Sequence, residues 1–381
     1  MINRVKVEEL CRARFRMILE GDVIEQLENI PERSVQCVIT SPPYWGLRDY
    51  GTAAWIGGDK ECNHYRDNHV SDSCTTGHSK SQKKGGIGDS IYKTNCKKCG
   101  AKRIDQQLGL EETPEEYVEK MVDVFRGIRR VLKKDGTVWL NLGDSYSSLG
   151  GATTEQTVSN YRDTDIKVHR DMHGGGSRKP PKGLKAKDLC GIPWRVAFAL
   201  RGDGWYLRQD IIWQKPNPMP ESVTDRCTKS HEYIFLLTKS HHYFYDADSI
   251  REPYNTANET PRSEKFYGLR NKAVEDGMKI QTALPQSRRY THDGRNKRSV
   301  WTISTKPYKE AHFAVFPPEL PEICIKAGSK EGDTILDPFF GSGTTGWVAH
   351  RLGRKWIGIE LNPEYIKIAE RRFSQQELFA N

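Results

Sequence analysis

The feature that most constrains the fold is a strand, glycine-rich turn, helix and second strand in series near the C-terminus. Residues 337–345 read Asp-Pro-Phe-Phe-Gly-Ser-Gly-Thr-Thr, between an apolar run and a helical pattern. Such units build doubly wound α/β sheets, and their glycines let the backbone approach a ligand at a helix N-terminus. The second strand, residues 355–360, ends in Glu360, where a carboxylate can accept both hydroxyls of a ribose. Because the turn has neither a phosphate-loop lysine nor a dinucleotide fingerprint, it predicts a site for a nucleoside without pyrophosphate.

A second motif ends an apolar strand in the N-terminal part of the chain. Residues 35–40 lead directly into Ser41, Pro42, Pro43 and Tyr44. The prolines stiffen the chain and leave carbonyls free to accept, Ser41 adds a hydroxyl, and Tyr44 adds an aromatic face. Rigid acceptors beside a stacking surface suit the exocyclic amine of a planar base. For Pro-Pro alone a proline-stiffened turn is the favoured explanation, so the interpretation as a base site depends on the glycine turn far down the chain.

The two motifs together resemble those of the permuted (beta) group of S-adenosylmethionine-dependent DNA amino-methyltransferases. The resemblance implies an α/β fold with a Rossmann-like, mostly parallel twisted sheet, circularly permuted, carrying a small metal-binding insertion and an irregular DNA-recognition region. It divides the chain into a catalytic half (15–51 and 108–239), an insertion (52–107), a target-recognition region (240–310) and a cofactor-binding half (311–381). The residues that it assigns to S-adenosylmethionine are Asp22, Phe313, Asp337, Pro338, Phe339, Gly341, Gly343, Thr344, Thr345 and Glu360.

The intervening sequence alternates helical and strand patterns, as such a sheet requires. Thr113 and Pro114 open a helix that ends near Lys133–Gly136, and residues 137–142 form a strand that closes on Asp144. A helix over 187–201 and strands over 207–214 and 231–238 follow. Asp22 and Asp144 have two interpretations each, as ligand-binding acids or as local caps.

The charge pattern indicates a polyanionic partner. The net charge of the chain is +9. The combined net charge of three basic, irregular segments, at 76–103, 177–187 and 286–309, is larger than this, so the rest of the chain is acidic. The charge therefore indicates nucleic acid, and the resemblance implies double-stranded DNA as the partner. Arginines such as Arg288, Arg289, Arg295 and Arg298 suit base edges as well as phosphates, and most are expected to hold phosphate. The sequence predicts no membrane span and no secretory signal, hence a cytoplasmic protein in a bacterial, archaeal or phage-infected cell.

The polar insertion contains a cysteine and histidine pattern typical of zinc sites. Cys62 and His64 precede a Cys96-x-x-Cys99 knuckle, which gives three thiolates and one imidazole for a tetrahedral ion. A structural Zn²⁺ would explain how a segment without an apolar core folds. Cys74 or His69 could replace His64 as the fourth zinc ligand. The alternatives to a zinc site are a redox-active cysteine pair and free thiols.

The resemblance implies transfer of a methyl group to the exocyclic amine of a flipped base. Ser41 and the Pro42 carbonyl would accept the amine hydrogens while Tyr44 stacks on the ring. In the group that the chain resembles, a serine before Pro-Pro-Tyr goes more often with cytosine N4, so the resemblance favours cytosine N4, and adenine N6 is the alternative. An RNA or protein methyltransferase and a non-catalytic DNA-binding protein are rival classes. A cognate restriction endonuclease is a further expected partner that the sequence does not identify.

Overall fold

The computed structural model describes residues 16–46, 52, 54–59, 61–64, 95–105, 107–147, 180, 183–253, 294–305 and 316–377. Its strands are β1 (Arg16–Glu20), β2 (Val35–Thr40), β3 (Ala54–Ile56), β4 (Lys102–Ile104), β5 (Leu132–Leu142), β6 (Tyr206–Gln214), β7 (His231–Thr238), β8 (Val300–Thr302), β9 (Thr334–Asp337) and β10 (Lys355–Glu360). Its helices are α1 (Val23–Glu28), α2 (Pro114–Val131), α3 (Ile192–Gly202), α4 (Glu319–Gly328), α5 (Thr344–Arg351) and α6 (Pro363–Glu377), with a 3₁₀ turn at Asp248–Ile250.

Eight strands form one sheet in the order β1-β10-β9-β2-β5-β7-β6-β8. All neighbours pair in parallel except β7, which is antiparallel to both β5 and β6. The predicted α/β class with a mostly parallel sheet is therefore confirmed. The strands that flank the glycine turn, β9 and β10, come late in the chain yet lie between β1 and β2.

Helices cover both faces of the sheet. One apolar cluster contains side chains of α1, α2 and α3, such as Leu27, Phe125 and Val196. The other contains side chains of α4, α5 and α6, such as Ile325 and Val348. Cys37, Val38 and Ile39 of β2 alternate between these clusters. All six residues of β2 are buried, because a central parallel strand is covered on both faces.

The start of α2 agrees with its predicted capping. The Thr113 hydroxyl accepts from the Glu116 amide at 3.2 Å, and Pro114 occupies the first turn. Two predicted boundaries were wrong. The strand after α2 begins at Leu132 rather than at 137, because Leu132 pairs with Val35 beyond a register shift. Helix α3 begins at Ile192 rather than at 187, because Gly191 is left-handed (φ 70°) immediately before it.

The described part of the insertion forms a short antiparallel hairpin of β3 and β4, in which Trp55 pairs with Arg103. The segments that flank it meet beside the Ser41–Tyr44 motif, since the Gly46 amide donates to the Gly109 carbonyl at 2.8 Å. The Trp45 indole N–H donates to the Glu111 carbonyl at 3.0 Å. None of the described helices is long and apolar enough to cross a bilayer.

Candidate active site

A cavity of about 780 Å³ opens at the carboxyl ends of the parallel strands. Because β7 is antiparallel, its first residues reach the same edge. The lining includes Ser41, Pro42, Pro43 and Tyr44 after β2, and Pro338, Phe339, Gly341, Thr344 and Glu360 around the glycine turn. The two motifs that are nearly 300 residues apart in sequence therefore share one cavity, within the usual size range of ligand sites.

The Ser41–Tyr44 motif is held by its own polar atoms and by α2. The Ser41 hydroxyl donates to the Tyr44 hydroxyl at 3.2 Å. The Tyr117 hydroxyl of α2 donates to the Pro43 carbonyl at 2.9 Å. Gly143 packs against the Tyr44 ring so closely that a Cβ there would lie 2.5 Å from Tyr44 Cε2. The backbone at Gly143 therefore restricts the position of the Tyr44 ring.

A polar cluster beside this motif was not predicted from the sequence. The Tyr44 hydroxyl donates to Glu232 Oε2 at 2.7 Å and lies 3.2 Å from Asn141 Oδ1. Asn141 Nδ2 donates to Glu232 Oε2 at 3.1 Å, and Lys215 forms an ion pair with the same carboxylate. Burial, and then the Glu232 charge, raise the pKa of the Tyr44 hydroxyl well above its usual value. Tyr44 therefore keeps its proton across the physiological pH range.

Glu360 closes the glycine turn from the end of β10. Its Oε2 accepts from the Gly341 amide at 2.7 Å, and its Oε1 accepts from the Asn362 amide at 2.8 Å. Burial raises the pKa of this carboxyl. Gly341 has a φ of 53° and Gly343 a φ of 78°, which is the backbone region where glycine is preferred. A carboxylate held in this way at the cavity wall can accept hydroxyl groups of a nucleoside.

Asp337, the last residue of β9, links the glycine turn to the neighbouring strand β2. Its Oδ1 accepts from the Thr40 hydroxyl at 2.9 Å and from the Phe339 amide at 3.1 Å, and its Oδ2 accepts from the Thr345 hydroxyl at 2.6 Å. Burial raises the pKa of Asp337 to about 7. Both carboxylate oxygens are thus occupied by neighbouring protein groups, which positions the turn against β2.

Of the remaining predicted site residues, some line the cavity, some do not, and some lie outside the described residues. Asp22 lines the cavity and also caps α1, since its Oδ1 accepts from the Ile24 amide at 2.9 Å. Asp144 lines the cavity and caps α3, accepting from the Gly191 and Ile192 amides at 3.1 Å. Gly343 and Thr345 lie behind the cavity wall rather than on it. Phe313 lies outside the described residues, as do Arg288, Arg289, His69 and Cys74.

The four residues predicted as metal ligands come together in the insertion. The ligand atoms of Cys62, His64, Cys96 and Cys99 all lie within 4.8 Å of one another. Cys62 Sγ lies 3.8 Å from Cys96 Sγ, and Cys99 Sγ lies 3.6 Å from His64 Nδ1. A tetrahedral site with zinc–sulfur bonds of about 2.3 Å has sulfur–sulfur edges of about 3.8 Å. The cluster therefore has the donor set and the spacing of a structural zinc site.

Cations gather around Glu252, within the segment predicted as the target-recognition region. Glu252 and Arg295 form an antiparallel bridge. The Glu252 carboxylate pairs with Arg295 and Arg298 at 3.3 Å and with Lys297 at 3.5 Å. The Arg298 side chain is 64% exposed, so part of this positive charge faces solvent.

The fold and the two facing motifs define a methyltransferase of the kind that acts on DNA amino groups. The chain belongs to the DNA methylase family of N6 and N4 methyltransferases, whose family model matches residues 35–371. It is 40% identical to the Type II methyltransferase M.SmaI of Serratia marcescens, over 96% of this chain and 94% of that protein. It is 38% identical to the Type II methyltransferase M.XycI of Xanthomonas campestris pv. cyanopsidis, over 98% and 93% of the two chains.

A solved structure supports the same fold. The PvuII DNA methyltransferase, described as cytosine-N4-specific, matches 93% of this chain and 85% of its own with a TM-score of 0.52. The sequence identity is 20%, so this likeness concerns the fold alone.

Proposed function

We propose that the protein transfers a methyl group from S-adenosylmethionine to the exocyclic amine of a base flipped out of double-stranded DNA, with cytosine N4 as the target. The observation that carries this proposal is the shared cavity, which brings Ser41 and Tyr44 to the same space as Gly341 and Glu360. The family and the Type II methyltransferase relatives supply the reaction class.

The cofactor would bind on the β9 and β10 side of the cavity. Glu360 would accept the ribose hydroxyls, the backbone at Gly341 would approach the ligand, and Pro338 and Phe339 would pack against it. Asp22, at the end of β1, faces the same side and retains its proposed role toward the adenine amine. The sulfonium methyl group is the reactive group that this cofactor supplies when it is bound.

The target base would bind on the β2 side. Ser41 and the Pro42 carbonyl would accept the amine hydrogens and so direct the nitrogen lone pair toward the methyl group. Holding two reactants in line in this manner can contribute about 7–11 kcal/mol to lowering a barrier. The base must leave the duplex to reach this depth, and the exposed cations near Arg298 would hold the flanking phosphates.

The test is to incubate the protein with labelled S-adenosylmethionine and duplex DNA, RNA or protein, and to analyse the nucleosides of the labelled DNA by mass spectrometry. We expect label in duplex DNA as N4-methylcytosine. N6-methyladenine would overturn the choice of base. Label in RNA or protein alone, or no transfer, would overturn the proposal. If the product is found, protection of the mapped site from a cognate restriction endonuclease is the expected consequence.

We also propose that Cys62, His64, Cys96 and Cys99 bind one structural Zn²⁺. The distances between their ligand atoms support it, as does the Trp55 ring, which stacks on His64 at 4.2 Å and orients the imidazole. The described part of this segment is small and polar, and a metal would supply the stabilisation that it lacks.

Metal content tests the zinc proposal. We expect about one zinc per purified chain, lost in Cys96→Ser and in Cys99→Ser. Cys227→Ser is the matched control, because Cys227 is exposed and outside the cluster. A folded wild-type protein without metal would show that the four residues are only free thiols and an imidazole.

A further inference from the structure

Three side chains in the cavity form a continuous hydrogen-bonded chain. Ser41 Oγ lies 3.2 Å from Tyr44 Oη, and Tyr44 Oη lies 2.7 Å from Glu232 Oε2. All three residues line the cavity. The carboxylate at its end is held by Asn141 Nδ2 and by the Lys215 ammonium group.

The protons of this chain point in one direction. Tyr44 has a single hydroxyl proton, and its shorter contact is to Glu232 at 2.7 Å rather than to Asn141 Oδ1 at 3.2 Å. The Tyr44 oxygen is then free to accept the Ser41 proton. Ser41 donates inward, so the lone pairs of its oxygen remain available to the cavity. A chain of aligned donors that ends on a carboxylate makes its first oxygen a better acceptor.

We propose that Glu232 is the terminal proton acceptor of a relay that runs from Ser41 through Tyr44. The inference rests on the proposed function and adds a route for the proton that methyl transfer must release.

The step balances in atoms and electrons. The amine nitrogen uses its lone pair to form the new nitrogen–carbon bond, while the carbon–sulfur bond of the sulfonium breaks and leaves its electron pair on sulfur. The nitrogen gives one proton to Ser41 Oγ, Ser41 gives its own to Tyr44 Oη, and Tyr44 gives its own to Glu232 Oε2. The Glu232 side chain is 16% exposed, so the proton can pass from there to solvent.

A purely structural role for Glu232 makes different predictions. If Glu232 only held Tyr44 in place, a glutamine would serve almost as well, since its amide oxygen also accepts from the hydroxyl. An amide does not take up a proton near neutral pH. Glu232→Gln therefore separates holding from proton transfer, and Tyr44→Phe breaks the relay while keeping the ring.

The experiment measures single-turnover methyl transfer to duplex DNA containing the mapped target site, in H₂O and in D₂O, at several pH values. We expect Glu232→Gln and Tyr44→Phe each to lower the rate about 100-fold, within the range of general-base effects. The double variant should lose no more than either single variant, because both remove the same pathway. The wild-type solvent isotope effect should disappear in all three, with affinities for cofactor and DNA within about twofold of wild type.

Glu322→Gln is the matched control. Glu322 is also a carboxylate paired with two cations, Lys326 and Arg351, but it lies on α4 away from the cavity. Its rate and isotope effect should equal those of the wild type.

Two results would overturn the relay while leaving the proposed function intact: a Glu232→Gln protein with the wild-type rate and isotope effect, or losses that multiply in the double variant. Loss of cofactor affinity or melting temperature in Glu232→Gln, with an unchanged isotope effect, would assign it a structural role instead. A wild-type protein that transfers no methyl group to DNA would remove the proposed function itself.

Discussion

Gly143→Ala tests whether the position of the Tyr44 ring determines the rate of methyl transfer. The added Cβ would lie 2.5 Å from Tyr44 Cε2, whereas ordinary contacts begin at 3.4 Å, so the ring must move by roughly 0.9 Å. The backbone of Gly143 is not in the left-handed region, so alanine adds no strain there. The movement stretches the 2.7 Å bond from Tyr44 to Glu232 and the 3.2 Å contact with Ser41. A misplacement of about 1 Å can cost about 100-fold in rate.

The assay is single-turnover methyl transfer, with cofactor affinity and the free energy of unfolding measured in parallel. We expect the rate to fall about 100-fold, the free energy of unfolding to fall by about 1–3 kcal/mol, and cofactor affinity to stay near that of the wild type. Gly202→Ala is the control, because it adds the same methyl group at the end of α3 with nothing within 4 Å. A Gly143→Ala rate within about threefold of the wild type would refute the reasoning.

Three further predictions concern the cofactor side. The pKa of Asp337 is about 7 in the fold against 3.8 unperturbed, so its carboxyl stabilises the fold at low pH and this contribution is lost as pH rises toward 7. The free energy of unfolding of the wild type relative to Asp337→Asn should fall by about 2.5 kcal/mol from about pH 5 to pH 8 in denaturant titrations; no pH dependence would contradict this. Glu360→Gln should weaken S-adenosylmethionine binding by about tenfold or more in calorimetry, with little change in melting temperature of the free protein; unchanged affinity would remove Glu360 from the site. Gly358→Ala should destabilise the protein by about 1–3 kcal/mol in denaturant titrations, because its Cβ would lie 2.3 Å from Phe340 Cγ; an unaltered midpoint would show that Phe340 can move.

Much of the fold could be predicted because local signals agree with tertiary pairing. The cap at Thr113 and the apolar stripe that follows define α2 in sequence and in structure. Boundaries failed where tertiary contacts decide them. Leu132 belongs to a strand because of its partner Val35, and no local pattern contains that partner.

The site was predicted in part for a similar reason. Ser41 comes directly after β2 and Glu360 is the last residue of β10. Because the alternating helices and strands predict parallel strands, the shared edge of these two residues could be inferred. Glu232 was missed because it lies at the start of its strand, and only the antiparallel direction of β7 brings that end to the same edge. Asp337 lines the cavity, but its carboxylate oxygens accept hydrogen bonds from the Thr40 and Thr345 hydroxyls. These bonds depend on side-chain geometry, which the sequence pattern does not contain.

The order of the sheet has a consequence for the growing polypeptide on the ribosome. β1 and β2 emerge early, but β9 and β10, which fill the space between them, emerge about 300 residues later. Until then β1 lacks β10 and β2 lacks β9, the strands with which they pair in the complete sheet, and Thr40 has no Asp337 to bind. Catalytic competence is therefore among the last properties that a nascent chain acquires, and a chain released before residue 360 would carry Ser41, Tyr44 and Glu232 without a place for the methyl donor.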